Sequence, residues 1–304
     1  PMRATSFQEQ PESDVSQILI NKDALCLVSN DRPYAAGFDE YNQFGTGARY
    51  IVTIPQLLDE DQVSDINCSH YANCYIKAGE MYCQGYRFTN REKLTPLGNN
   101  VVRAINSSHT TCALTEEDEL KCWGGNSNGE VGINSITATI SVARFADATP
   151  QPPTMTEVID AAGGDNFLCA IKANKTVWCW GKNQYGTLGH NNPSETISRV
   201  PVAVQGLPDF SSVTKLKLKI SEYMACVLAD ARVYCWGGGV GTILNQVASD
   251  SFIAQEITAL RGATHIASID KGLCAAFADQ SVRCLASSES LLTVFNKLGV
   301  HQYQ

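Results

Sequence analysis

Ten of the twelve cysteines fall into five pairs of near-constant spacing: Cys74 with Cys83, Cys112 with Cys122, Cys169 with Cys179, Cys226 with Cys235, and Cys274 with Cys284. Each pair sits in the same local pattern. Its clearest copy runs Leu168-Cys169-Ala170-Ile171-Lys172, turns at Ala173-Asn174-Lys175, and returns as Val177-Trp178-Cys179-Trp180-Gly181. The loop Asn183-Gln184-Tyr185-Gly186-Thr187-Leu188-Gly189 follows. Apolar/polar alternation, a short turn and a returning segment rich in Val and Trp predict a β-hairpin. The two cysteines then stand where the paired strands face each other.

The first cysteine of each unit, counting the unpaired Cys26, lies at 26, 74, 112, 169, 226 and 274, in steps of 48, 38, 57, 57 and 48 residues. From Cys274 through both chain ends back to Cys26 is 56 residues, so the circle closes with one more normal step. A strand-rich repeat of this period signals a propeller, in which closure protects the sheet edges. The fold class read here is all-β: a single β-propeller of six blades, or seven if a 57-residue step hides a degenerate blade. Each blade is about a four-stranded antiparallel sheet, and the paired cysteines form intra-hairpin disulfides. Residues 1–15 read as an N-terminal tail and 16–304 as one propeller domain. Strands from the two chain ends are expected to complete a shared blade. The 38-residue step is tight for four strands, so that blade is expected to have fewer.

No short Cys-x2-4-Cys knuckle of the zinc type is present. Cysteine pairs recurring at one place in a β repeat read as cross-strand disulfides, which belong to an oxidising compartment. Cys26 and Cys68 are left over; either they pair with each other or one is free. Three sequons, at Asn67, Asn106 and Asn174, agree with a secreted, extracellular glycoprotein. Asn174 lies in a hairpin turn, where a glycan would be held in water. Pro1 is not an initiator, so a processed or engineered start is expected.

The net charge is −8. The one dense positive run, Lys215-Leu216-Lys217-Leu218-Lys219, alternates and reads as the polar face of a strand. A phosphate-gripping protein carries a basic footprint, so nucleic acid is set aside as a partner. No apolar run approaches the length of a membrane span. The expected partner is an extracellular protein or glycan, and the chain is expected to be a monomer.

The stretches Cys112-Ala113-Leu114 with Leu120-Lys121-Cys122-Trp123-Gly124-Gly125-Asn126, and Val177-Trp178-Cys179-Trp180-Gly181-Lys182-Asn183, resemble the regulator of chromosome condensation repeat. So do the glycine loops that follow them and the outer-strand stretch Pro201-Val202-Ala203-Val204-Gln205-Gly206. The resemblance covers roughly residues 18–290 and is strongest to extracellular, cysteine-bearing members of that β-propeller family. It implies a family that is usually seven-bladed and whose members serve as binding platforms, inhibitors and exchange factors. The founding member is a nuclear exchange factor that binds chromatin. The acidic charge, the disulfide framework and the missing basic tail argue against that role here. A shared fold does not fix a function.

The residues that enter each hairpin differ from unit to unit: Lys22-Asp23, His70-Tyr71, Ser108-His109, Asp165-Asn166, Glu222-Tyr223 and Asp270-Lys271. In propellers these loops converge on one mouth of the central channel. Asp23, His70, Tyr71, His109, Asp165, Asn166, Glu222, Tyr223, Asp270 and Lys271 are therefore the candidate ligand-binding ring. The leading reading is a binder of a macromolecular partner. The alternative is a secreted hydrolase or oxidoreductase in which His70, His109, Asp165, Glu222 and Asp270 supply acid/base or metal groups. For each of these residues the plainer role, a hydrogen bond to neighbouring backbone that shapes the turn, weighs more. No metal site and no cofactor are predicted, and no catalytic set can be assigned by residue order.

Trp123, Trp180 and Trp236 share one repeat position and read as packing between blades; Trp178 falls on the opposite strand face. Gly237-Gly238-Gly239-Val240-Gly241-Thr242 follows a strand, but no helix is expected after it, which weakens a nucleotide-loop reading. The insert 133–157 reads as a lid, a partner-binding loop or, more plainly, a solvated linker. The first unit's glycine loop is aligned as Asn42-Gln43-Phe44-Gly45 on Asn183-Gln184-Tyr185-Gly186.

Overall fold

The hairpins read from the sequence all form, and each gains flanking strands. The computed structural model describes residues 15–20, 24–45, 51–59, 62–69, 71–86, 88–94, 100–135, 137, 139–140, 154–269, 272–286 and 301–302. Six sheets lie among them. The first joins β1 (Val15–Ile20), β2 (Ala24–Ser29), β3 (Arg32–Phe38) and β4 (Ile51–Leu57), and the second β5 (Asp65–Cys68), β6 (Ala72–Lys77), β7 (Glu80–Gly85) and β8 (Phe88–Lys93). The third is built on β9 (Val101–Asn106), β10 (Thr110–Thr115) and β11 (Leu120–Gly125), with β12 (Thr139–Ile140) and β13 (Thr154–Met155) both pairing β11. The fourth holds β14 (Val158–Gly163), β15 (Phe167–Lys172), β16 (Val177–Lys182) and β17 (Ile197–Ala203). The fifth holds β18 (Leu216–Ile220), β19 (Met224–Ala229), β20 (Arg232–Gly237) and β21 (Ser251–Glu256). The sixth holds β22 (Ala263–Ile269), β23 (Gly272–Phe277), β24 (Val282–Ala286) and β25 (His301–Gln302). The chain divides into two compact units, Pro1–Ala104 and Ile105–Gln304.

Three expectations are corrected. Each sheet is made from one contiguous stretch of chain, so the two chain ends do not share a blade: β1 lines the first sheet, and β25 pairs β24 in parallel. The short second repeat keeps four strands. It does so by passing from β7 to β8 through residues 86–87 alone, where other repeats spend a long glycine loop. A one-turn helix, α1 (Val240–Ile243), does follow Gly237. Gly239 enters it at φ 79°, a left-handed conformation open to glycine, and its N–H donates to Asp250 Oδ1 (3.1 Å).

The pleat explains why the middle strands are almost wholly buried. Successive side chains point to opposite faces, and both faces are covered. In β15, Phe167, Cys169 and Ile171 enter the core shared with the fifth sheet's Leu218, Val227 and Trp236. Leu168 and Ala170 enter the core shared with the third sheet's Ile105, Leu114 and Leu120. β19 divides the same way: Ala225, Val227 and Ala229 face the fourth sheet, whereas Met224, Cys226 and Leu228 meet Ile266, Leu273 and Leu285 of the sixth. In the N-terminal unit, Cys26, Val28 and Phe44 pack on Ile66, Cys68 and Tyr75.

All twelve cysteines are bridged. Five bridges join direct cross-strand partners whose Cα atoms lie 4.0–4.2 Å apart. Cys83 of β7 stands opposite Cys74 of β6, and Cys122 of β11 opposite Cys112 of β10. Cys179 of β16 faces Cys169, Cys235 of β20 faces Cys226, and Cys284 of β24 faces Cys274. The expected pairing within each of these hairpins is the one formed. In the first hairpin Ala35 stands opposite Cys26, so Cys26 bonds instead to Cys68 of the second sheet. Of the two alternatives left for Cys26 and Cys68, pairing with each other is the one formed, and this bridge runs between sheets. Neighbouring innermost strands are also tied by side chains. Gln17 of β1 donates to Asp65 Oδ1 and to the Ile66 carbonyl of β5 (3.1 and 3.0 Å). Buried Asp160 of β14 accepts from the Leu218 N–H of β18 (2.9 Å).

Candidate functional site

The end of each hairpin that carries the candidate loops is built by one recurring device. The strand after the turn bulges at the residue before a glycine, at Gln84-Gly85, Trp180-Gly181 and Trp236-Gly237. At Gly181 (φ 103°) a Cβ would stand 2.5 Å from the Asn166 carbonyl oxygen, and at Gly237 (φ 100°) 2.4 Å from that of Tyr223. Only glycine lets the strand come this close. The next N–H then reaches the same carbonyl: Tyr86 to Tyr71, Gly125 to His109, Lys182 to Asn166 and Gly238 to Tyr223, at 2.7–2.8 Å. The backbones of the entry residues are therefore fixed alike, while their side chains are left free to differ.

A second device builds the loop beyond the glycine. Asn183 Oδ1 accepts from the Leu188 N–H (3.2 Å), Asn126 Oδ1 from Val131 (3.0 Å) and Asp39 Oδ1 from Phe44 (2.8 Å), each five residues on. Three residues after that side chain comes a left-handed residue: Gly186 (φ 79°), Gly129 (φ 77°) and Asn42 (φ 57°). The sequence alignment of the first loop is thus corrected by three residues: Asp39, not Asn42, is the counterpart of Asn183. Asn42 misled because asparagine tolerates the left-handed position and takes the glycine's place.

The corrected register makes Tyr41 and Tyr185 equivalent, and each meets an entry residue of the following repeat. In the N-terminal unit the Tyr41 ring lies 5.3 Å from Tyr71 and 5.2 Å from Tyr86, and Tyr71 and Tyr86 are 5.9 Å apart. Tyr86 is 56% exposed. Burial, helped by the Glu40 charge, raises the Tyr41 phenol above its ordinary pKa. In the C-terminal unit Tyr185 stands edge-on to Tyr223 at 5.1 Å. Tyr185 is 38% exposed and holds a left-handed backbone (φ 65°) that a bulky residue seldom adopts. Burial pushes the Tyr223 phenol well up, and its hydrogen bond to Glu222 and the charge of Asp165 push it further.

The remaining candidates divide. Asp165, Asn166 and Glu222 lie together, all half-buried. Asp165 Oδ1 accepts from Ser108 Oγ (2.6 Å) and from Asn166 Nδ2 (2.8 Å), and the Asp165 N–H donates to the Glu222 carbonyl (2.8 Å). Asp165 thus clasps three successive repeats, which is the turn-shaping role. His109 is half-buried beside Ser108. Asp23, His70, Asp270 and Lys271 lie outside the described residues. Among the described residues no three His, Cys, Asp or Glu side chains converge as a metal-binding group. Tyr41, Tyr86 and Tyr185 were not singled out from the sequence; Tyr41 and Tyr185 would have been, had Asp39 been aligned on Asn183.

Trp180 and Trp236 confirm the inter-blade role. Each sits in the core shared with the preceding sheet, and each indole N–H donates into that sheet's loop: Trp180 to the Glu130 carbonyl (2.7 Å) and Trp236 to the Thr187 carbonyl (3.0 Å). Trp123 is equally buried, but among the described residues its Nε1 has no acceptor.

This Trp-Gly-x-Asn loop is also what comparison with known proteins picks out. The family model described as "Regulator of chromosome condensation (RCC1) repeat" matches residues 104–130 and 158–187, and a second model of the same description matches residues 175–217. Yeast RCC1 (Prp20), solved bound to Kap60, superposes with a TM-score of 0.73 over 90% of this chain and 70% of its own, at 14% identity. The chain is an RCC1-like β-propeller. The matched segments of this chain carry the buried Trp180 and the Asn-capped glycine loops at Asn126 and Asn183, and its hairpin disulfides fit the cysteine-bearing forms of the fold. The CRINKLY WD40 ectodomain of the Arabidopsis thaliana receptor kinase ACR4 superposes with a TM-score of 0.53 over 90% of this chain and 80% of its own, at 16% identity. Among curated relatives, human E3 ubiquitin-protein ligase HERC2 is 25% identical over 245 residues, 73% of this chain and 5% of HERC2. The ultraviolet-B receptor UVR8 of Arabidopsis thaliana is 26% identical over 187 residues, 55% of this chain and 41% of UVR8. The RCC1-like chain therefore spans less than half of either relative. No helix among the described residues is long and apolar enough to cross a membrane.

Proposed function

We propose that this chain is a secreted, disulfide-stapled propeller domain over residues 16–304 that binds a macromolecular partner, an extracellular protein or glycan, through the loops at the hairpin-entry end. The observation that carries this reading is the double occurrence of tyrosine contacts between a glycine loop and the next repeat's entry residue. Both Tyr41–Tyr71–Tyr86 and Tyr185–Tyr223 leave a ring in solvent. Tyrosine gives large, stiff contact area with a polar tip, which is why it is enriched at binding surfaces. The backbone beneath is held alike by glycine and carbonyl in each repeat, while the side chains above it vary, as a platform for a specific partner requires. Six disulfides and the likeness to a receptor-kinase ectodomain support the extracellular placement.

The test is parallel capture from the source's extracellular fluid on wild-type chain and on a Tyr86→Ser/Tyr185→Asn variant. Both positions are solvent-facing, and Asn suits the left-handed backbone at 185, so the variant keeps its fold. A partner held at least ten-fold better by wild type supports the reading. Equal retention of every captured species refutes it.

A further inference from the structure

Three sequons are present, and the structure treats them differently. Asn106 is 6% exposed, and its own carbonyl lies so close to Gly163 that a Cβ there would stand 2.4 Å away. The hydroxyl of its sequon, Ser108 Oγ, is committed to Asp165. Asn67 lies within β5 beside the bridged Cys68, and its sequon hydroxyl is buried: Ser69 Oγ donates to the Ala72 carbonyl and accepts from the Tyr71 and Ala72 N–H groups. A glycan weighs far more than the residue that bears it and must stand in water. A folded chain has no room for one at Asn106, and at half-buried Asn67 the sequon hydroxyl is locked into the fold.

Asn174 is the opposite case. It is exposed at the tip of the β15–β16 hairpin. Thr176 Oγ1 donates to Asn174 Oδ1 (2.6 Å), and the Thr176 N–H reaches the same oxygen (3.2 Å), leaving the amide nitrogen to solvent. The intervening Lys175 is pinned outward, its Nζ bonded to the Ser211 and Val213 carbonyls. Trp178 is aligned on the same side by an Nε1 bond to Thr176 Oγ1 (2.8 Å). The other three indoles are buried. Trp178 thus offers a half-exposed flat face two residues beyond the sequon threonine, suited to the apolar face of a first sugar.

We propose that Asn174 is the single N-glycosylation site of this domain and that its first sugar rests on Trp178. In the transfer, Asn174 Nδ2 bonds to the anomeric carbon of a lipid-diphosphate-linked oligosaccharide. The carbon–oxygen bond to the diphosphate breaks, the lipid diphosphate leaves with the electron pair, and the amide gives one proton to the transferase. The inference rests on the secretion reading, and the two are tested separately.

The full chain is directed through a eukaryotic secretory pathway by an added signal peptide, so acceptor competence is read whatever the native route. The folded, secreted fraction is digested with peptide-N-glycosidase in heavy-oxygen water and mapped by mass spectrometry. The expected result is isotopic Asp at 174 and at neither 67 nor 106. Asn174→Gln should run as the deglycosylated band and secrete with all disulfides formed. Enzymatic deglycosylation should shift the tryptophan emission of wild type and leave that of Trp178→Phe unmoved. An unmodified Asn174 in folded protein, or a glycan at Asn67 or Asn106, overturns the site assignment. An unchanged wild-type emission overturns the Trp178 contact. The secretion reading is judged on native material instead: free thiols there would refute it and leave the acceptor result standing.

Discussion

Trp123, Trp180 and Trp236 occupy one repeat position with one difference, and that difference gives a measurable contrast. Trp236 is fully buried and donates to the Thr187 carbonyl; Trp123 is 4% exposed and its indole N–H finds no acceptor among the described residues. Replacing either by Phe removes the same atoms and leaves a similar void, worth about 1–2 kcal/mol as a partial deletion of a core aromatic. In Trp236→Phe the Thr187 carbonyl also loses its donor inside the core, which adds about 1–3 kcal/mol. In Trp123→Phe an unpaired buried N–H disappears, and its relief offsets about 1–3 kcal/mol of the void. Trp236→Phe should therefore lose about 2–5 kcal/mol and Trp123→Phe close to none. For the 200-residue C-terminal unit, 1 kcal/mol moves the melting temperature by about 2–4 °C. Calorimetry with disulfides intact should show a gap of several degrees between the two variants. Trp180→Phe, which strands the Glu130 carbonyl, should follow Trp236→Phe. A Trp123→Phe variant that melts as low as Trp236→Phe refutes the assignment of the indole bond as the stabilising difference.

Gly181→Ala should be severely destabilising, because its Cβ would strike the Asn166 carbonyl at 2.5 Å. Gly262→Ala, also at positive φ but with nothing nearer than 3.7 Å, should lose only about 1–2 kcal/mol; urea unfolding of the two gives the comparison. Removing the Cys26–Cys68 bridge, with its sequence separation of 42, should lower stability by about 4 kcal/mol, against about 2.7 kcal/mol for Cys169–Cys179, with its separation of 10; paired serine variants in denaturant melts test the order. Asp230 is held below its ordinary pKa by the Lys215 N–H and the Thr214 hydroxyl, so its contribution is present above the unfolded value near 3.9 and lost as pH falls below it. Asp230→Asn should flatten the acid limb of a stability–pH profile below about pH 4. The Tyr223 phenol is raised, so its contribution is complete below the unfolded value near 10 and declines as pH rises beyond it; Tyr223→Phe should flatten the alkaline limb.

What was legible in the chain is what depends on local, repeated chemistry. The pairing of Cys112 with Cys122, and likewise of Cys83, Cys179, Cys235 and Cys284 with the cysteines before them, could be read because direct cross-strand partners recur at fixed spacing in a hairpin, and the hairpin is a local structure. Trp180 and Trp236 could be read as core for the same reason. The sequence thus determined the six hairpins, five of the six disulfides and the RCC1-like repeat. The tertiary structure alone decided whatever depends on which repeat lies beside which. It paired Cys26 with Cys68 across two sheets, gave each sheet its own contiguous stretch, and assigned Asp165 to a clasp between Ser108 and the Glu222 carbonyl. It also brought Tyr41 to Tyr71 and Tyr185 to Tyr223. These contacts join residues 30–57 positions apart through the packing of one sheet on the next. A single hairpin carries no record of its neighbour's register, and a three-residue slip at Asn42 was enough to conceal the tyrosine pair from the sequence.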